Sequence, residues 1–410
     1  MKQSTYPLEL LLGMKYYASD AEGIGGKLRI VPEDFIVEEI PMPEKGGTVG
    51  PYLICTLTKT NWELQHAIKE IAKRLGISHR RIGWAGTKDR NAITKQRISL
   101  FKVTAEQVAE IHLKDIILEP VGQVNEGLSL GDLQGNRFDI TIRDADPADL
   151  ETRVQTITET IREGIPNYFG IQRFGAIRPV THLVGEWILK RDFEQAVVTY
   201  IGREFPGEPE YVRAVRTAFL ENRNIPAALH DLPPHMSYER AMLHYLHTHP
   251  GDYRGALLEL PPKLLSMFVS AFQSYLFNCA LSQRLDDGHT LTGPLVGDRL
   301  IFANGRTDTV TTTNSNAVSI HIRRGRCNIA LLMPGKEPVE PKSEGELALV
   351  SLLENFNITA ENFKSASTFV HTKFDGAWRP IVLKTDIGSG LDKNNVRLKF
   401  SLPPGHYATT

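Results

Sequence analysis

Cysteine is nearly absent. Cys55, Cys279 and Cys327 are the only three, far apart and odd in number. This argues against a disulfide framework, and none has a neighbour at metal-ligand spacing. A reducing, cytoplasmic setting is expected. Long apolar runs are missing too: none approaches the ~20 residues of a membrane span. The N-terminal YPLELLLGMKYY is short and interrupted by Glu9, so no signal peptide is expected. Strong net charge is lacking at −1, so the whole molecule is neither a polybasic binder nor an acidic tail. No repeat or low-complexity tract occurs. A nucleotide fingerprint is also wanting. GWAGTKD has only Trp84 and Ala85 between its glycines and places Asp89 after Lys88. A phosphate loop needs four intervening residues and a hydroxyl there, and an acid would repel phosphate. GIGGK at 23–27 fails similarly. Neither cofactor nor metal is expected.

What is present is ordinary globular composition, 41% hydrophobic and 23% charged over 410 residues, enough for two or three domains. The charge is uneven. Between His66 and Lys102 there are ten Lys and Arg against Glu70 and Asp89. A basic face on an otherwise acidic body suits a polyanionic partner; a solvated helix face with ordinary salt bridges is the alternative.

Element signals come in mixed order. KLRIVPEDFIVEEI (27–40) reads as two short strands broken by Pro32, and YLICTLTK (52–59) as a strand. In TNWELQHAIKEIAKRLG, Thr60 and Glu63 form a capping box. Leu64, Ile68, Ile71 and Leu75 make an apolar helical stripe, and Gly76 ends the helix. A strand follows in QRISLFKV, and NRFDITIRD (136–144) alternates with Phe138, Ile140 and Ile142 on one side. The mixture indicates an α+β fold. From IPNYFGIQRFGAIRP (165–179) the chain turns aromatic and then mostly helical. It becomes β-like at 293–335 and ends on VRLKFSLPPGHYATT. We expect a first domain over 1–165, an insertion over 166–370 and a return over 371–410.

The loop GWAGTKDRNAITKQ (83–96) isolates Asp89 between Lys88 and Arg90. Nearby cations favour the charged carboxylate. That suits a nucleophile or base at a carbon centre and suits a general acid poorly. No second carboxylate lies near in sequence to make a glycosidase pair. The structural alternative is a turn cap or an Asp89–Arg90 pair. GWAG also matches the bare GXXG of an RNA-binding KH loop, on four residues only.

AGTKDRNAITKQ closely resembles the catalytic motif of the TruD family of pseudouridine synthases. GGKLRIVPEDFIVEEI resembles the family's N-terminal segment and GNRFDITIRD its third motif. PNYFGIQRFG, SAFQSYLFN and GPLVGD resemble parts of its insertion, and SLPPGHYAT the return. The matches run in order from about Ile24 to the C-terminus. The resemblance implies a pseudouridine-synthase catalytic domain with a mixed, mainly antiparallel sheet and flanking helices, plus a large α/β insertion. It implies isomerisation of uridine to pseudouridine in tRNA, at position 13. A monomer with no obligate protein partner and no membrane is expected. A catalytically silent RNA-binding or chaperone module of the same fold is the alternative. Asp89 matches the catalytic aspartate, Lys27 the basic residue near it, and Asn136 and Phe138 the pair that positions the aspartate and stacks on the base. On alternation alone Phe138 also reads as core. With a flipped nucleotide implied, Arg81 and Arg90, with Arg74 and Arg80, become candidates for the flanking phosphates.

Overall fold

The structure, a computed structural model, describes residues 1–43, 49–406 and 408. Tyr407 and Thr409, at the end of the return motif, lie outside the described residues. The chain forms two compact units. One comprises Ser19–Gly164 and Lys384–His406, the other Met1–Ala18 and Ile165–Leu383.

The first unit is built on a nine-stranded sheet. Its strands are β1 (Lys27–Leu28), β2 (Phe35–Pro41), β3 (Tyr52–Thr60), β4 (Ile82–Trp84), β5 (Ile93–Phe101), β6 (Ile116–Val124), β7 (Leu133–Arg143), β8 (Ile387–Asp392) and β9 (Asn395–Leu402). The order is β8-β9-β7-β2-β5-β3-β6, with β1 beside β7 and β4 beside β5. Among the described residues only β2 and β5 pair in parallel. The α+β class with a mainly antiparallel sheet is thus observed.

Register and alternation fix the two faces. Val37 sits opposite Phe138, which sits opposite Phe400, and Val37 also pairs with Thr94, which faces Lys59. One face therefore carries Phe35, Val37, Glu39, Lys59, Thr94, Gln96, Asn136, Phe138 and Phe400. The other carries the ion pairs Arg137–Glu38, Lys95–Glu38 and Arg397–Asp139 and is the solvated side.

Two helices cover the first face at its ends. Helix α1 (Leu64–Arg74) buries Leu64, Ile68 and Ile71 against Leu53, Cys55, Leu57, Ile98 and Leu100. Each such side chain contributes roughly 1.5–3 kcal/mol on burial. Helix α2 (Leu150–Glu163) packs Leu150 and Val154 on Val396, Ile142 and Leu398. The middle lanes, with Phe35, Phe138 and Phe400, lie between them. Gly76 ends α1 with φ +65°, as its sequence position predicts. The N-cap differs: Glu63 is the cap, its carboxylate accepting from the amides of Gln65 and His66. Thr60 is withheld because it ends β3, its amide bonded to the Asp115 carbonyl.

The second unit is larger than the 166–370 segment expected. It takes in Met1–Ala18 because the core helix Pro262–Asp286 binds that stretch: Asn278 Nδ2 donates to the Leu12 carbonyl and Ser282 Oγ to that of Gly13. It runs on to Leu383 because Ala377–Pro380 pairs with Cys327–Met333 in a four-stranded sheet. Pro262–Asp286 is long and apolar enough by length and composition to cross a membrane, yet 67% of its most apolar window is buried here. It reads as a core helix.

Candidate active site

The signature loop leaves β4 at Trp84 and enters β5 at Ile93. Its first support is a close approach. A Cβ on Gly83 would meet the Leu128 carbonyl oxygen at 2.3 Å, so glycine lets the 125–132 turn lie against β4. That turn returns a hydrogen bond from Gly131 N to Ala85 O at 2.8 Å. Gln96 Nε2 then holds the Gly86 carbonyl at 2.9 Å.

Lys88 and Asp89, neighbours in the loop, point opposite ways. Lys88 is driven into the sheet, where Nζ meets Glu39 Oε2 at 2.8 Å; the two side chains are 4% and 1% exposed. The other carboxylate oxygen of Glu39 accepts from the Arg97 amide at 3.1 Å. Asp89 turns its carbonyl inward, onto the fully buried Lys59 ammonium at 2.8 Å, which also donates to Trp62 O at 2.7 Å. With its main chain pinned from below, its carboxylate stays 36% exposed.

The cation facing that carboxylate is Arg29, with Nη2 at 3.4 Å from Oδ1. Arg90 is exposed and is not its partner, so the Asp89–Arg90 pairing does not form. Arg29 lies 3.9 Å above the Phe35 ring in a left-handed backbone conformation, φ +59°. Such a conformation costs a non-glycine residue on the order of 1 kcal/mol; here it aims the guanidinium at both partners. From Phe35 an aromatic row continues across adjacent strands. Phe35 meets Phe138 edge-on at 6.4 Å, and Phe138 stacks with Phe400 at 5.2 Å.

The residues expected at the site are thus only partly brought together. Asn136 lies opposite Glu39 in the β2–β7 register, and its buried Oδ1 has no hydrogen-bond partner among the described residues, an acceptor left open in this floor. Phe138 is 8% exposed, between two aromatic rings. Lys27 is elsewhere: it stands opposite Arg143 and its Nζ is held by Asp144 at 2.9 Å. The left-handed turn at Arg29 changes the chain's direction, which residue spacing cannot reveal. Arg81 donates to the Phe101 and Lys102 carbonyls and so closes the end of β5. Arg90 has no ion pair or side-chain hydrogen bond among the described residues. Arg29, Phe35, Glu39 and Lys59 were missed by sequence reasoning. The signal available for Lys59 was a lysine at an inward position of an otherwise apolar strand.

Lys59 yields a pH prediction. Burial pushes its ammonium down to about 8 from 10.5, despite the attraction of Asp89 and Glu63. Below pH 8 the cost of the buried charge is fully present. Between 8 and 10.5 the unfolded chain holds more protons, so stability rises with pH, by on the order of 3 kcal/mol. Lys59→Met lacks this dependence. Urea titrations are expected to show the wild type gaining stability relative to the variant between pH 8 and 10.5; parallel curves contradict it.

Comparison with known proteins decides the family. The sequence model of tRNA pseudouridine synthase D (TruD) matches residues 11–410. The chain belongs to the TruD family. A relative named "Probable tRNA pseudouridine synthase D" from Methanococcoides burtonii is 40% identical over 422 residues, covering 98% of this chain and 95% of the relative. One of the same name from Pyrococcus furiosus is 36% identical, with 97% of each chain covered. The crystal structure of a TruD protein from Methanosarcina mazei superposes with a TM-score of 0.82 at 35% identity, covering 99% of this chain and 97% of that one. The TruD fold therefore frames the loop, the Arg29–Asp89 pair and the aromatic row.

Proposed function

We infer that the protein isomerises uridine to pseudouridine in tRNA, at the uridine of position 13. The observation that carries this is the Asp89 carboxylate: partly open, facing Arg29, and held by the sheet through its own carbonyl. An open ion-paired carboxylate favours an enzyme over a catalytically silent RNA-binding module of the same fold.

In the reaction the N1–C1′ bond breaks, a C5–C1′ bond forms, N1 gains a proton and C5 loses one. No electrons are exchanged. The target base must leave its stack, at a cost of a few kcal/mol. Asp89 supplies the charged oxygen beside the ribose C1′–C2′ and the ring C6. Arg29 faces and orients it, and offers a fixed cation to the negative charge that develops on the detached uracil. Asn136, with its open Oδ1, and Phe138, in its aromatic row, lie on the same sheet face and serve as binding residues for the base. Incubation with an unmodified tRNA transcript, followed by mapping of the product, tests the reading. Pseudouridine at position 13 is expected; free uracil, or no product, contradicts it.

Phosphate contacts fall to the exposed arginines. Arg80 and Arg90 replaced by Gln are expected to raise KM by ~3–10-fold with kcat little changed. The slope of log K against log salt becomes shallower by roughly 1.5, since two fewer counterions are released. Binding titrations at several salt concentrations measure this, and an unchanged slope counts against it.

A further inference from the structure

The second unit contains a groove that the reaction above does not use. It is an open cavity of about 610 Å³ whose walls include Arg191, Phe193, Arg254, Lys364 and Phe369. A second concavity of about 500 Å³ shares Arg191, Phe193 and Arg254 with it. The floor is aromatic, with Phe193 and Phe369 rings 4.8 Å apart and the Arg254 guanidinium 5.4 Å above Phe369. Three helix starts converge here. Thr359 precedes the helix Ala360–Val370, Asp192 caps Phe193–Gly202 and Asp252 caps Tyr253–Leu258.

The charges in the walls are unequally satisfied. Asp192 accepts from the Gln195 amide at 2.9 Å, and Asp252 from the Gly255 amide at 2.8 Å and the Tyr245 hydroxyl at 2.7 Å. Glu361 pairs with Lys364 at 3.4 Å on the exposed side of its helix. Asp192, Asp252 and Glu361 are spent on helix caps and local pairs, and Glu194 in the wall of the second concavity lies against the Tyr253 hydroxyl. Arg191 and Arg254 have neither an ion pair nor a side-chain hydrogen bond among the described residues, and Arg254 feels Asp252 only at longer range. Arg191 is also held in a left-handed conformation, φ +59°, just before its helix.

We propose that this groove binds the phosphodiester backbone of the RNA, as a contact separate in its residues from the Asp89 site. This rests on the reading of the protein as a tRNA-modifying enzyme. Two free guanidinia on an aromatic floor match phosphate oxygens bidentately and leave a ring face beside them for a ribose or base. Two adjoining open concavities that share both arginines fit a strand passing through with successive phosphates. A single enclosed anion would need one closed pocket.

The test uses full-length protein and an unmodified tRNA transcript. Combined Arg191→Gln and Arg254→Gln is expected to weaken binding ~10-fold at 150 mM salt and to make the log K–log salt slope shallower by roughly 1.5, with kcat at saturating RNA unchanged. Both side chains lie at the open groove, so the thermal midpoint should stay at the wild-type value. Arg191→Lys with Arg254→Lys keeps both charges and should restore the slope. Inorganic phosphate and uridine monophosphate, each in roughly 1,000-fold excess over the transcript, should compete only weakly if a strand is the ligand. An unchanged affinity and slope in the Gln variant overturns the proposal, as does a fall in kcat alone, or strong competition by the free anions. If wild-type protein makes no pseudouridine yet the slope still differs between wild type and variant, the groove stands and the enzymatic reading fails.

Discussion

Asp89→Asn is expected to lower the single-turnover rate of pseudouridine formation by about 10³-fold or more. The substitution keeps the side chain's shape and removes its charge. Loss of a positioned base or nucleophile costs on the order of 10²–10⁴-fold or beyond. Folding should be nearly untouched. Among the described residues this carboxylate's one ion pair is with Arg29, at 3.4 Å in a partly exposed setting, and such pairs contribute ~0–1 kcal/mol. The main-chain anchor to Lys59 is retained, because it engages the Asp89 carbonyl. RNA affinity should stay within ~3-fold, since a carboxylate among cations makes no favourable phosphate contact. Rapid-quench measurement at saturating enzyme, with a thermal melt beside it, separates chemistry from folding and binding. A variant that turns over at the wild-type rate removes Asp89 from the mechanism.

The Glu39–Lys88 pair carries the largest expected effect on stability. Both side chains are out of water, and each Glu39 oxygen is already committed, one to Lys88 and one to the Arg97 amide. Lys88→Met leaves a buried carboxylate with one partner; Glu39→Gln leaves a buried ammonium facing an amide. Removing one member of such a pair costs about 3–5 kcal/mol. For a unit of this size that lowers the melting midpoint by roughly 10 °C. The combined change Glu39→Leu with Lys88→Met, which deletes both charges, should melt closer to wild type than either single variant. The single variants should also lose activity well below their melting points, because Lys88 adjoins Asp89 and anchors its loop. Melting within 1 °C of wild type for either single variant would show that the pair does not hold the loop.

Much of this was legible in the residues. The α1 stripe, the Gly76 stop and the alternating strand at 136–144 depend on local periods of 3.6 and 2, which the sequence displays directly. The signature loop stood out because an acid among cations is chemically odd. Other features were hidden. Glu38 and Glu39 are equivalent in composition, yet alternation sends Glu38 to the solvated face with Arg137 and Lys95 and Glu39 under the loop with Lys88. Thr60 has the right spacing for a cap but is held by the sheet, so Glu63 caps instead. Arg81 looks like a phosphate ligand until its guanidinium is found on the Phe101 and Lys102 carbonyls.

By itself the sequence determined the α+β class and the family and singled out Asp89 as the candidate, because these follow from local periodicity and from a motif unbroken along the chain. Only the tertiary structure decided which groups surround that residue. Arg29 replaced Lys27 as its counter-charge, and Lys59, thirty positions away, became its anchor. Those choices depend on strand register and on one left-handed residue, and each brings together groups distant in the chain. A sheet selects partners across strands by hydrogen-bond geometry, and that selection leaves no trace in linear spacing.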